Sequence, residues 1–250
     1  MNDRKLVILG MASMFLMAAC GQSEPVAPTD TGAESSAAPE AAVADLATTL
    51  ASDLRSEEDR ARDAGRKPAK AISFIGIQPG MDVIDLLAAT GWYSEVLSIA
   101  VGSEGSVTAQ NPPFMLAFRN GTLGDVLQER IDNHSLTNVT RLDSTWDELG
   151  TSGAQYDAAW SALNIHDVQY LESAAPVFAS AVFTVLKPGG VLAIIEHAGN
   201  PDGDNASLHR IERGLAVEIL TAAGFVLEDE NDLLANPDDD RTQGVFSEGI

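Results

Sequence analysis

Cysteine is nearly absent: a single residue, Cys20, serves a chain of 250. An internal disulfide is therefore excluded, as are the multi-cysteine zinc and iron–sulfur sites. Basic residues are also scarce, with 15 Lys and Arg against 37 Asp and Glu and a formal net charge of −22. A phosphate backbone calls for the opposite sign, so this balance argues against a nucleic-acid partner. The acidity reads instead as solubility and repulsion from anionic surfaces. Histidine occurs four times, at His134, His166, His197 and His209. Their spacing matches no metal motif, so no metal is expected. Nor is there an apolar run of the roughly 20 residues that a membrane-spanning helix needs.

What the N-terminus does carry is an export pattern. Arg4 and Lys5 form a short cationic segment, and Leu6 to Ala19 is a weakly polar to apolar stretch of signal-peptide length. The run Leu16-Met17-Ala18-Ala19-Cys20 resembles the lipobox of bacterial lipoproteins. That resemblance implies lipidation of Cys20 and a lipid anchor in a bacterial membrane, facing the periplasm. Several acyl chains together make such an anchor stable. Gly21 stands where inner-membrane lipoproteins often carry Asp, which favours the outer membrane. Residues 22–42 are Ala, Pro, Ser, Thr and Glu with almost no large apolar side chain. They cannot repay their ordering entropy and are expected to form a disordered tether. The expected organisation is a signal peptide at 1–19, a tether at 20–43 and one domain at 44–250.

Within the domain, residues 45–67 are charged and helical in pattern, with Leu46, Leu50 and Leu54 at four-residue spacing. A short helix over 69–75 leads to the turn signal Gln78-Pro79-Gly80. The periodicity then switches. Strand-length apolar runs at 81–87, 106–109, 139–142, 156–162, 191–196 and 225–227 alternate with helical patterns at 92–100, 123–131, 171–186 and 209–223. Leu171, Ala174, Phe178, Ala181 and Val185 form a core-facing stripe in the third of these helices. Pro176 delays its regular part, and Lys187-Pro188-Gly189-Gly190 reads as its stop. Such alternation predicts an α/β fold, a doubly wound, mostly parallel sheet. Ligands of these sheets sit outside the carboxyl ends of the strands.

The first strand–loop–helix reads Val83-Ile84-Asp85, five residues, then Gly91-Trp92-Tyr93-Ser94-Glu95-Val96-Leu97. It resembles motif I of the class I S-adenosylmethionine-dependent methyltransferases, whose fold is Rossmann-like. The likeness is closest to a predicted bacterial branch of that superfamily. The shared features are Arg55, Asp59, Arg62-Asp63, Arg66 and Pro68 upstream, Asn164-x-His166 after the fourth strand, and Lys187-Pro-Gly-Gly-Val-Leu running to Glu196-His197. The resemblance implies S-adenosylmethionine as cofactor and a small-molecule methyl acceptor. Asp85 would hold the methionine amine, with Ala89 and Gly91 in the loop beside it. Asn111 would stand in for the carboxylate that usually grips the ribose, and Asp143 would meet the adenine amine. Asn164 and His166 are the candidate catalytic pair, for acceptor binding and proton removal. Glu196 and His197 are the candidate acceptor-binding residues.

Two departures from the superfamily pattern bear on this reading. Motif I usually carries glycine at the positions of residues 87, 89 and 91, and this chain has Leu87, Ala89 and Gly91. After residue 227 nothing is apolar enough for a further strand, so the sheet is expected to lack its last strand. Trp92 and Tyr93 read as packing residues rather than a substrate cage. The rival to an enzyme is a non-catalytic envelope lipoprotein that keeps the fold to bind another ligand or a partner protein.

Overall fold

The computed structural model describes residues 3–9 and 37–247, and among the described residues are seven parallel strands, eleven α-helices and one short 3-10 turn, Phe118–Gly121. In chain order the strands are β1 (Arg4–Leu9), β2 (Asp82–Leu86), β3 (Ser106–Asn111), β4 (Val139–Asp143), β5 (Tyr156–Ala162), β6 (Leu186–Ile195) and β7 (Phe225–Asn231). The helices are α1 (Ala37–Leu50), α2 (Glu57–Ala61), α3 (Asp63–Arg66), α4 (Pro68–Ile75), α5 (Trp92–Val101) and α6 (Pro113–Ala117). They continue with α7 (Leu123–Asn133), α8 (Trp146–Thr151), α9 (Ile165–Tyr170), α10 (Ala175–Val185) and α11 (Arg213–Ala222). Cys20, the lipobox and most of the proposed tether lie outside the described residues.

The sheet order is β4-β3-β2-β5-β6-β1-β7. Alternate residues of each strand feed the two helical layers. Ile84 and Leu86 pack with Phe178 and Val182 on one face, while Val83 packs with Trp92, Val96 and Leu97 on the other. The chain reverses direction across the sheet between β2 and β5, so the loops after β2, β3, β5 and β6 open on one crevice.

The expected missing strand is corrected by β1. Arg4–Leu9 enters the sheet between β6 and β7, parallel to both, with Leu6, Ile8 and Leu9 fully buried. Leu6 and Ile8 join one layer and Val7 and Leu9 the other, the period of two that a central strand requires. Lys5 reaches Glu228 on β7 at 2.7 Å, and Arg4 lies over the Phe183 ring at 4.2 Å. The segment read as an export signal therefore occupies an internal slot of the sheet, between β6 and β7.

Three element expectations need revision. The helix expected at 171–186 starts late, as α10, after a break at Ser173 (φ 51°); α9 is an additional short helix before it, and Leu171 is exposed instead of facing the core. Pro176 then falls in the first turn of α10, where its missing N–H costs nothing. Residues 51–56 interrupt the charged N-terminal helix, leaving Leu50 buried and Leu54 exposed. The strand expected at 191–196 begins earlier, at Leu186, so Lys187 to Gly190 both follows the helix end at Val185 and belongs to β6, with Lys187 Nζ bonding both Asp157 oxygens at 2.9 Å.

Candidate active site

The loop between β2 and α5 keeps a glycine-loop backbone on residues that are not glycine. Leu87 (φ 52°), Ala89 (φ 51°) and Gly91 (φ 80°) all lie in the left-handed region. A side chain there costs about 1–2 kcal/mol, so the loop holds this path against its own residue preferences. Gly91 has no alternative: a Cβ would stand 2.6 Å from Leu127 Cδ1 and 3.3 Å from Arg130 Cδ. The neighbouring strand braces the loop. Asn111 Nδ2 donates to Ala89 O at 3.1 Å while its Oδ1 accepts from Ala89 N–H at 2.8 Å. Ala88 N–H donates to Gln110 O at 2.9 Å.

Beneath the loop, Asp85 is 2% exposed. Burial raises its carboxyl to about 7, against a hydrogen bond from Ser94 Oγ at 2.6 Å and the field of Arg66. A small cavity of about 190 Å³ lies over it, lined by Arg62, Arg66, Leu87, Thr90, Tyr93 and Asn164 among others. The upstream arginine stretch forms one wall. Arg66 sits 4.5 Å and Arg62 5.6 Å from the Trp92 ring centroid, and Trp92 Nε1 donates to Asp59 O at 3.1 Å. Trp92 and Tyr93 are buried edge to face at 4.6 Å, as packing residues that also border this cavity.

The small cavity meets a second one, of about 900 Å³, at Arg62, Ala89, Thr90, Leu163 and Asn164. Asn164 is at the junction, its Nδ2 bonded to Ala162 O at 2.6 Å and Leu87 O at 3.3 Å. The preceding residue, Leu163, is again left-handed (φ 64°). His166 lines the larger cavity, and its Nδ1 meets Glu196 Oε2 at 2.8 Å. Glu196 also accepts the N–H groups of Ile165 and His197, so it acts as a fully buried acceptor and fixes the imidazole with Nδ1 as donor. Burial would depress His166, but the Glu196 bond and the field of Asp167 carry it above its ordinary value. His197, also on the cavity wall, is pushed down by burial.

The expected site residues therefore divide. Asp85, Ala89, Gly91's loop, Asn164, His166 and His197 surround the two connected cavities. Glu196 orients His166 and borders neither cavity, which corrects its expected contact with the acceptor. Asn111 is fully buried with its amide engaged by the loop. Asp143 points elsewhere, both oxygens held by Arg141 at 2.9 and 2.6 Å, and borders neither cavity. The cap of the following helix is Thr145, in a reciprocal capping box with Glu148.

Sequence reading missed two groups. Arg130 of α7 joins Asp59 (2.7 Å), Glu95 (2.5 Å) and Thr90 O (2.8 Å), tying the arginine stretch to the motif loop. Asp167 and His209 also border the larger cavity, and His209 lies 43 residues beyond His166, in a loop ahead of α11 that the sequence pattern assigns to the helix expected at 209–223. No periodicity links such positions.

The architecture is the Rossmann-like class I methyltransferase fold, with its characteristic sheet and crevice. A SAM-dependent methyltransferase from Aquifex aeolicus superposes with a TM-score of 0.54 at 22% identity, covering 73% of this chain and 87% of that one. The YcgJ protein of Bacillus subtilis superposes at 0.51 with 13% identity, over 63% and 67% of the two chains. In sequence the chain is 27% identical over 184 residues to the ubiquinone/menaquinone biosynthesis C-methyltransferase UbiE of Shewanella sediminis, covering 70% of this chain and 68% of that protein. It is 30% identical over 126 residues to the Shewanella piezotolerans enzyme of the same name, spanning 50% of this chain and 46% of that one. No family model matches the chain.

Proposed function

We propose that this chain is an S-adenosylmethionine-dependent methyltransferase acting on a small-molecule acceptor. The observation that carries the reading is the motif loop. All three glycine positions keep left-handed backbone, two of them on side chains that disfavour it, directly beside a buried carboxylate. Strain of that kind persists where the surrounding structure enforces it. The cavity suits the cofactor's cationic end: Asp85 is a buried carboxyl facing it, and a bound ammonium would favour its ionised form.

When bound, S-adenosylmethionine supplies an already activated methyl group. The protein's task is then alignment and, for an acceptor that arrives protonated, removal of one proton. Asp85 would hold the amino-acid end in the small cavity, because the N–H groups of Leu87, Ala88, Ala89 and Gly91 are already engaged within the protein. Asn164, at the junction of the two cavities, is placed to orient the acceptor. His166 Nε2, opposite the Glu196-bonded nitrogen, is the atom that would take the proton, and Glu196 stabilises the imidazolium formed.

Calorimetric titration of the full chain with S-adenosylmethionine and S-adenosylhomocysteine tests the reading, with micromolar binding expected and lost in Asp85→Ala. A folded chain that binds neither would leave the rival: Leu87, Ala89 and the engaged Asn111 close the site, and the fold serves as a non-catalytic envelope module. Localisation in the periplasm through a lipidated Cys20 is a separate proposal that rests on the lipobox sequence; processing before Cys20 would remove Arg4–Leu9 from the sheet, so one molecule cannot use the segment both ways. Fractionation of Cys20→Ser checks it, since unchanged membrane association would end the lipoprotein reading.

A further inference from the structure

On the wall of the larger cavity, away from Asp85, three potential ligand atoms converge. They belong to His166 and Asp167 at the start of α9 and to His209 in the loop before α11. Asp167 Oδ1 lies 3.1 Å from His209 Nδ1 and 3.5 Å from His166 Nε2, and all three atoms lie within 4.8 Å of one another. We propose that these residues form a binding site for one divalent first-row transition ion, with zinc as the reference case.

Distances favour this directly. Nitrogen and oxygen ligands at about 2.0–2.2 Å from an ion stand roughly 3.4 Å apart. The two pairs that include Asp167 already have about that separation, and the two imidazole nitrogens lie within 4.8 Å of each other. The ring tautomer favours it as well. Glu196 accepts from His166 Nδ1 and thereby leaves the Nε2 lone pair on the cavity side. A carboxylate behind a ligating imidazole is the usual outer support of a metal site, fixing the ring and raising its basicity.

His209 is held in place from both sides. Its own backbone is left-handed (φ 53°), a turn conformation that histidine accepts more readily than most side chains. The next residue, Arg210, is fully buried and bonds Asp239 through two nitrogens, together with Ala198 O and Gln243 O. Ile211 N–H donates to His197 O at 3.1 Å. The loop thus presents His209 to Asp167 instead of leaving it free in solvent. A two-imidazole, one-carboxylate set suits Zn²⁺ or Fe²⁺ and leaves open positions toward the cavity.

The metal site itself stands on geometry, independent of methyl transfer. Its chemical consequence does rest on the methyltransferase reading: an acceptor hydroxyl coordinated in the open position would ionise more readily. His166 would then serve as ligand instead of base, the acceptor's proton passing to solvent water in the cavity, and the acceptor class would be a hydroxyl or enol.

The test uses tag-free full-length chain carrying Cys20→Ser, which removes the one thiol that could bind metal. Chelator-treated protein is titrated with Co²⁺ for its visible d–d bands and with Zn²⁺ by calorimetry, in the absence of cofactor. One ion per chain is expected. His209→Ala and Asp167→Asn should each weaken binding at least about tenfold, with their metal-free unfolding midpoints compared to establish that they are folded. His134→Ala should leave affinity unchanged, because His134 is engaged by Glu95 at 2.7 Å. A folded parent without saturable one-to-one binding, or affinity that survives both ligand substitutions, would overturn the site. Neither result depends on whether S-adenosylmethionine binds.

Discussion

Replacing Arg130 with methionine should be among the most damaging single changes in the chain. Its guanidinium is the common partner of Asp59 and Glu95, whose side chains are 7% and 1% exposed, and its Nε holds the carbonyl of Thr90 in the motif loop. Methionine keeps most of the volume and removes the charge, leaving two buried carboxylates with only His134 and Ser56 as side-chain partners. Loss of one partner of a buried ion pair costs about 3–5 kcal/mol. At about 2–4 °C per kcal/mol for a domain of this size, the Tm should fall by about 6–20 °C. The pH dependence has a definite sign. Burial alone would raise Asp59, but hydrogen bonds from Arg130 and Ser56 hold it below its ordinary 3.8. Its contribution is therefore present above that value and lost as pH falls through the folded pKa. The gap between parent and variant should be widest near neutral pH and narrow only as pH falls below about 4. Urea unfolding at several pH values measures it. Adding Asp59→Asn and Glu95→Gln to Arg130→Met should recover much of the loss. A single variant within about 1 kcal/mol of the parent at pH 7 would refute the argument that this cluster holds the loop.

Further predictions concern the loop, the buried carboxyl and the first strand. Asp85, raised to about 7 in the fold, stabilises the protein through its neutral form, so its own contribution declines as pH rises from about 4 to 7. A cation bound against it needs the ionised form, so S-adenosylmethionine affinity should rise about tenfold between pH 6 and 8. Calorimetry should find that rise flattened in Asp85→Asn, and a flat parent profile would contradict the assigned role. Gly91→Ala should cost more than about 2 kcal/mol in urea unfolding, given its positive φ and the overlap with Leu127. Ala89→Gly should be close to neutral, because relief of about 1 kcal/mol of strain is offset by a looser unfolded chain. Ile8→Asp should destabilise the full chain by more than about 4 kcal/mol if Arg4–Leu9 is a core strand. A chain indifferent to that substitution does not use the segment in its native sheet.

The parallel sheet was legible because β2, β5 and α5 each carry one unmixed periodicity. Tyr156–Ala162 is bounded in the sequence as it is in the fold. Asp85, Asn164, His166 and His197 were legible because each sits at or just beyond a strand end, where crevice residues must lie. Glu196 was placed in the right region with the wrong partner, since strand-end position does not say which way a carboxylate turns. Asp143 failed for a similar reason: Arg141, two residues back on the same edge strand, captures it. Position β1 was illegible in principle. An apolar run after two cations satisfies both a signal peptide and a buried parallel strand, and only the vacancy between β6 and β7 decides for the strand. His209 was hidden because its location depends on a left-handed residue and a buried arginine, neither of which leaves a periodic mark.

That first strand sets a clock on the chain. Arg4–Leu9 leaves the ribosome before every other element, yet both of its sheet neighbours, Leu186–Ile195 and Phe225–Asn231, are among the last to be made. At about 5–20 residues per second the segment waits roughly 10–40 s for its slot to exist. Throughout that interval it is an apolar N-terminal peptide behind two cations, available to whatever binds such peptides. Once β6 and β7 have formed, insertion buries Leu6, Ile8 and Leu9 completely and withdraws the segment from view. Slowing translation between residues 10 and 186 would lengthen the time for which this segment stays outside the sheet.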